Sequence, residues 1–180
     1  MYVVIVGGGK TGSQLAQSLI NEGYDVKIVE SRPEILERIK KELPEGMIIA
    51  GDGSSPAVLE AAGIKQANVL AAVTGEDETN LVVTTLGKFE YNIPRVIGKI
   101  NNPKNAWLFT KDMGVDAALN QATILARLIA EEMSLGDMMT LLKLRKGEFS
   151  IVEEKIHSAS QVVGKHISEL QMPVDCVIAT

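Results

Sequence analysis

The run Gly7-Gly8-Gly9-Lys10-Thr11-Gly12 restricts what this chain can become more than any other feature. It follows a short β-branched stretch, residues 2–6, and leads into a segment where Leu15, Ala16, Leu19 and Ile20 share one helical face. G-x-G-x-x-G is weak evidence alone, but between a strand and a helix it specifies a βα turn built for close backbone approach. Gly7 allows the tight turn, Gly9 lets the backbone near a pyrophosphate, and Gly12 lets helix and strand pack. Gly8 and Thr11 complete the loop. The helix N-terminus then presents free N–H groups and a positive dipole end to phosphates.

An acid is expected at the end of the second strand of such a unit, and Glu30 stands there, 18 residues after Gly12. A carboxylate at that point accepts hydrogen bonds from a ribose diol and repels a 2′-phosphate, which disfavours NADP; Arg32 pulls the other way. Gly9-Lys10-Thr11 superficially suggests a Walker A loop. That motif needs a glycine five residues before its final Gly-Lys, and Val4 occupies the position. Lys10 either neutralises phosphate, which suits a triphosphate as well as a dinucleotide, or is a solvated surface lysine.

The pattern continues by alternation. Strands are predicted at residues 26–29, 47–50, 69–73, 95–100 and 115–118. Between them lie a helix opened by a capping box at Ser31-Arg32-Pro33-Glu34 and a short helix from Ser55-Pro56. Further helices are predicted over residues 77–90 and 103–113. This spacing implies parallel strands with right-handed crossovers. The predicted class is α/β, a Rossmann-like doubly wound parallel sheet of strand order 3-2-1-4-5-6.

Three further loops reach the carboxyl edge of that sheet. Gly51-Asp52-Gly53-Ser54 follows the third strand, so Asp52 either meets an adenine amine or closes an Asx-type turn. Thr74 follows the fourth strand and either lines the ligand or caps the next helix. Lys99 ends the fifth strand and either meets phosphate or is solvated. Catalytic groups are lacking around this edge. The two histidines, His157 and His166, fall well beyond it, and there is no Tyr-x-x-x-Lys pair, nucleophile elbow or metal-ligand spacing. Hydride transfer to a carbonyl needs a proton donor, so the nucleotide reads as a signal rather than a reagent.

Composition narrows the classes. Lys and Arg total 18 against 23 Asp and Glu, a net charge of −5, which argues against a duplex nucleic-acid partner. The single cysteine, Cys176, forms no disulfide within one chain, no apolar run is long enough to span a bilayer, and no signal peptide opens the sequence. A cytoplasmic protein is expected. From about residue 120 the texture changes: Ala122, Leu125, Ala126 and Ile129 form one apolar stripe, with Ile124 and Leu128 beside it. An arc that wide belongs to a helix burying more than one face, as a last cover on the sheet or as a crossover helix against a partner. Gly136 interrupts it, residues 149–156 look strand-like, and residues 162–180 mix a short helix with a final strand.

The run 3–12, Glu30, the Gly51-Asp52-Gly53-Ser54 loop, residues 73–81, Ile97-Gly98-Lys99-Ile100 with Asn102-Pro103, and Gly114-Val115-Asp116 together resemble the KTN/RCK domain of Trk/Ktr potassium-uptake regulatory subunits. Val162-Val163-Gly164-Lys165-His166-Ile167 through Leu170 and Pro173 is similar to the opening of that family's C-terminal subdomain. The resemblance implies a nucleotide-binding domain with a crossover helix over residues 1–140. Residues 141–180 would be the start of a small α+β subdomain, truncated at Thr180 where the family continues. It also implies a non-catalytic cytosolic subunit, dimeric or ring-forming, at the inner face of the membrane beneath a potassium transporter. It would bind NAD(H), or alternatively ATP/ADP, and Gly7, Gly9, Lys10, Gly12, Glu30, Asp52, Ser54 and Thr74 match the binding residues. The competing class is an NAD-dependent oxidoreductase whose substrate domain lies outside this chain.

Overall fold

Alternation of side chains along the first strand organises the fold. In the computed structural model, which describes residues 1–44, 46–133, 138–144, 149–154, 156 and 158–170, β1 is Tyr2–Val6. Val4 and Val6 enter one apolar cluster and Val3 and Ile5 another, so the strand is buried on both faces. Helices α1 (Lys10–Asn21) and α2 (Pro33–Glu42) cover the Ile5 side, with Ala16 and Ile39 fully buried. Helices α3 (Pro56–Ala61) and α4 (Asp77–Thr85) cover the Val4 side through Leu59 and Val83.

The remaining strands are β2 (Asp25–Glu30), β3 (Ile48–Ala50), β4 (Val69–Ala72), β5 (Arg95–Ile100) and β6 (Ala117–Asn120). All pair in parallel in the order β3-β2-β1-β4-β5-β6, which is the doubly wound order expected. The order reverses at β1, between β2 and β4, and that is where a crevice opens at the carboxyl ends of the strands.

Four local expectations are corrected. Ser31 does not cap α2: Arg32 is the N-cap residue, Pro33 sets the first turn, and the Glu30 carboxylate takes the N–H groups of Ser31 and Arg32 instead. The helix expected over residues 77–90 is α-helical to Thr85 and then widens into a π turn, Leu86–Glu90. Gly87 lies there against Leu70 with no room for a side chain. Residues 103–113 form two 3₁₀ turns, Pro103–Leu108 and Lys111–Met113, because the chain leaves helical geometry at Phe109 and Thr110, where Phe109 is buried with Ile100 and Val115. β6 begins at Ala117 rather than at 115. Gly114 turns the chain at φ +86°, Val115 is buried, and the Asp116 carboxylate accepts the Val96 N–H at 2.7 Å.

The chain divides into two compact units, Met1–Ala126 and Arg127–Thr180. Helix α5 (Gln121–Met133) spans the division, and its Ile124, Leu125, Leu128 and Ile129 side chains are exposed. In the second unit β7 (Met138–Leu144) pairs antiparallel with β8 (Phe149–Glu154), and a 3₁₀ turn spans Ile167–Glu169. Gly136, His157, Pro173, Cys176 and the expected final strand lie outside the described residues. Among the described residues no helix is long and apolar enough to cross a membrane.

Candidate functional site

The glycine turn stands where the sheet order reverses. The Gly7 N–H donates to the Val29 carbonyl at 2.8 Å, and a side chain at Gly7 (φ +111°) would meet the Thr74 backbone nitrogen at 2.9 Å. Backbone from β2, β1 and the loop after β4 is thereby packed with nothing between. A side chain at Gly12 would overlap the Gly7 carbonyl, so α1 starts hard against the strand it follows. Gly9 is the N-cap of α1; no side chain caps that end and its first turn holds no acid. The α1 dipole therefore faces the crevice uncompensated by its own side chains. From α2, Arg38 Nη2 donates to the Gly8 carbonyl at 2.9 Å and braces the turn.

Glu30, 4% exposed, is the most heavily bonded group of the crevice. Its Oε2 accepts the Gly8 N–H and Arg32 Nη2, each at 2.8 Å. Its Oε1 accepts the Ser31 N–H, the Arg32 N–H and Arg32 Nε at 2.8, 2.9 and 3.0 Å. Burial pushes the carboxyl up, but the Arg32 side chain and these backbone N–H groups outweigh it and bring the pKa down to about 2.

On the β3 side, Asp52 Oδ1 accepts the Ser54 N–H and hydroxyl at 2.9 and 2.8 Å, which closes the Asx-type turn and holds the Asp52 carboxyl below its ordinary range. On the β4 side, Thr74 bonds through its N–H and hydroxyl to Asn80 Oδ1 rather than capping α4, whose N-cap is Glu76. Behind that rim the buried Asp77 carboxylate accepts the Asn101 and Asn102 N–H groups and the Asn105 amide, at 2.6, 3.0 and 2.8 Å.

These walls enclose a cavity of about 500 Å³. Of the residues singled out by sequence, Gly7, Glu30, Arg32, Asp52, Gly53, Ser54 and Thr74 line it. Gly8, Gly9 and Gly12 form the turn beneath it, and Lys10 and Thr11 are exposed on the first turn of α1. Lys99 is not brought to the cavity: it is half-buried, burial pushes its ammonium pKa down, and its carbonyl accepts the Asn80 amide at 2.9 Å. Sequence reading missed Val29, Ser31, Gly75, Glu76 and Thr79 in the lining, and Asp77 and Asn80 as the anchors of one wall. The available signal was a polar pair, Asp77 and Asn80, spaced on the inner face of a helix that also carries Val83.

Comparison with known proteins gives the same region. A family model described as the TrkA-N domain matches residues 3–121. The Trk system potassium uptake protein TrkA of Mycobacterium tuberculosis (strain ATCC 25618 / H37Rv) is 33% identical over 180 residues, 100% of this chain and 81% of that protein. A Trk system potassium uptake protein TrkA homolog of Methanothermobacter thermautotrophicus is 35% identical over 175 residues, 97% of this chain and 79% of that protein. Among solved structures, the TrkA-N domain of inner membrane protein ybaL from Escherichia coli superposes with a TM-score of 0.66 at 13% identity, over 74% of this chain and 96% of its own. The GsuK channel bound to NAD gives 0.62 at 20% identity over 72% of this chain and 22% of that one. GsuK bound to ADP gives 0.63 at 19% identity, over 74% and 34%. At these identities the structural likeness speaks for the fold alone.

Proposed function

The chain belongs to the TrkA-N domain family, and from that membership we propose that it is a nucleotide-sensing regulatory subunit of a potassium-uptake system. One observation carries the reading: Gly7 of the glycine turn and the buried Glu30 carboxylate line one cavity at the switch point of the sheet, and the uncapped start of α1 follows directly on that turn. The ligand is NAD(H), or alternatively ATP/ADP. The GsuK structures bound to NAD and to ADP, which share this fold, support both.

In this reading the turn Gly7, Gly8, Gly9 and Gly12 holds the phosphates against the α1 N-terminus, with Lys10 and Thr11 at its exposed lip. Glu30 takes the ribose, and Asp52, Gly53, Ser54 and Thr74 flank the base and its sugar. Residues 1–140 act as the nucleotide-binding domain with its crossover helix, and 141–180 as the beginning of a C-terminal subdomain. The exposed apolar face of α5 supports a homodimer or larger ring through that helix. The subunit works on the cytosolic side, peripheral to the membrane through its transporter, and changes transport by binding two arrangements of the assembly unequally. It carries out no turnover of the nucleotide.

Calorimetric titration with NAD, NADH, NADPH, ATP and ADP tests the reading, alongside NADH absorbance in the presence of carbonyl acceptors. Saturable binding of at least one nucleotide with constant absorbance is expected. Sustained NADH oxidation would replace the sensor with an oxidoreductase.

A further inference from the structure

We infer that the Arg32 side chain is a tethered competitor for the ribose-binding carboxylate: its guanidinium fork sits on the two Glu30 oxygens that a ribose diol would use, and a nucleotide must displace it. The inference rests on the nucleotide reading of the site. Five donors converge on Glu30. Three are backbone N–H groups, of Gly8, Ser31 and Arg32, fixed by the strand and the turn. The other two come from one side chain, Arg32 Nε to Oε1 at 3.0 Å and Nη2 to Oε2 at 2.8 Å. A carboxylate offers about four lone-pair directions, so the five donors already saturate it and no hydroxyl can join while the Arg32 pair is seated.

A cis-diol and the edge of a guanidinium present the same thing, two adjacent donors matched to two oxygens. The two partners are unequally held. The Glu30 side chain is 3% exposed and the Arg32 side chain 48% exposed, so the acceptor stays and the donor leaves. Release does not strand the carboxylate, because the three backbone donors remain. The freed guanidinium has other attractions: the Glu34 and Glu76 carboxylates both act on it, and Glu76 lines the opposite wall of the cavity. Affinity for a ligand with a free diol is thus lowered by the fraction of molecules in which Arg32 is seated. A ligand without the diol does not compete for these oxygens.

The test is a ratio of affinities in the full chain, which cancels the loss of a positive charge near the phosphates. ADP and 2′,3′-dideoxy-ADP are titrated calorimetrically into the wild type, Arg32→Ala and Arg32→Lys. The preference for ADP over the dideoxy nucleotide should rise about 2- to 5-fold in Arg32→Ala, as expected for loss of a half-exposed ion pair. Arg32→Lys, whose single amine cannot form the fork, should rise by less, and it keeps the test open if the alanine variant does not fold. An unchanged or smaller ratio, with binding intact, overturns the competitor and makes Arg32 a ligand contact or a bystander. NAD is titrated alongside, and failure of the wild type and every variant to bind NAD, ADP or the dideoxy nucleotide overturns the nucleotide reading itself, and the competitor with it.

Discussion

Asn80 Oδ1 accepts both the N–H and the hydroxyl of Thr74, at 2.9 and 2.8 Å, while its Nδ2 donates to the Lys99 carbonyl at 2.9 Å. A single fully buried amide thereby ties the rim of the cavity to the end of β5. Such a network is worth most when every member is satisfied.

Replacing Asn80 by alanine leaves the Thr74 N–H and the Lys99 carbonyl short of partners. We expect a loss of about 2–4 kcal/mol in urea unfolding, since each stranded buried group costs about 1–3 kcal/mol. A change below about 0.5 kcal/mol would mean that the rim is held by other contacts.

Glu30 gives the unit a dependence on acid. Its folded pKa of about 2 lies below the ordinary value of 4.5, so its stabilisation is fully present above the ordinary value and fades as pH falls from about 5 toward 2. The linkage is worth about 2–3 kcal/mol after allowing for screening at half-exposed Arg32. The stability gap between wild type and Glu30→Gln should therefore shrink from pH 7 to pH 3. A constant gap would show that the charge contributes nothing.

Two glycines of the site should respond oppositely to alanine. At Gly12 the added methyl overlaps the Gly7 carbonyl, which is backbone and cannot swing aside. A loss of about 2–3 kcal/mol is expected there, together with loss of nucleotide binding. At Gly75 nothing lies within 4 Å, so alanine should change stability by no more than about 0.5 kcal/mol. Thermal unfolding of the two variants compares them directly, and equal melting temperatures would contradict the packing.

Leu125 on α5 is 53% exposed in the single chain. If α5 is the contact between subunits, Leu125→Asp puts an unpaired charge in an apolar interface, at a cost of several kcal/mol. Light scattering should then report monomers for the variant and dimers or larger assemblies for the wild type, with circular dichroism unchanged. A wild type that is monomeric at micromolar concentration would remove α5 from any role in assembly.

What the sequence made legible was what depends on local pattern. The β-branched runs, the glycine turn and Glu30 at the end of β2 follow from alternation and steric need, and the sheet order follows from handed crossovers. What it hid depends on partners distant in the chain. That Arg32 folds back onto Glu30, that Ser31 yields the cap to Arg32, and that Lys99 stays out of the cavity are decided by competition among donors from several elements. The two 3₁₀ turns after β5 are parted for a similar reason: Phe109 between them is buried with Ile100 and Val115, which lie apart from it in the chain.

The Asp77 carboxylate has a consequence for how damage spreads. Asn101 is held three times, by its N–H and its amide to Asp77 and by its amide to the Thr74 carbonyl, and Asn105 and Asn102 return to the same acid. Drawn as a graph, the segment after β5 is a mesh with one shared vertex. Loss of any single asparagine leaves the mesh closed through its neighbours, whereas loss of Asp77 opens every loop together. The tolerance of this segment to sequence drift is therefore lopsided: broad at its amides, and narrow at one acid that contributes no atom to the cavity lining.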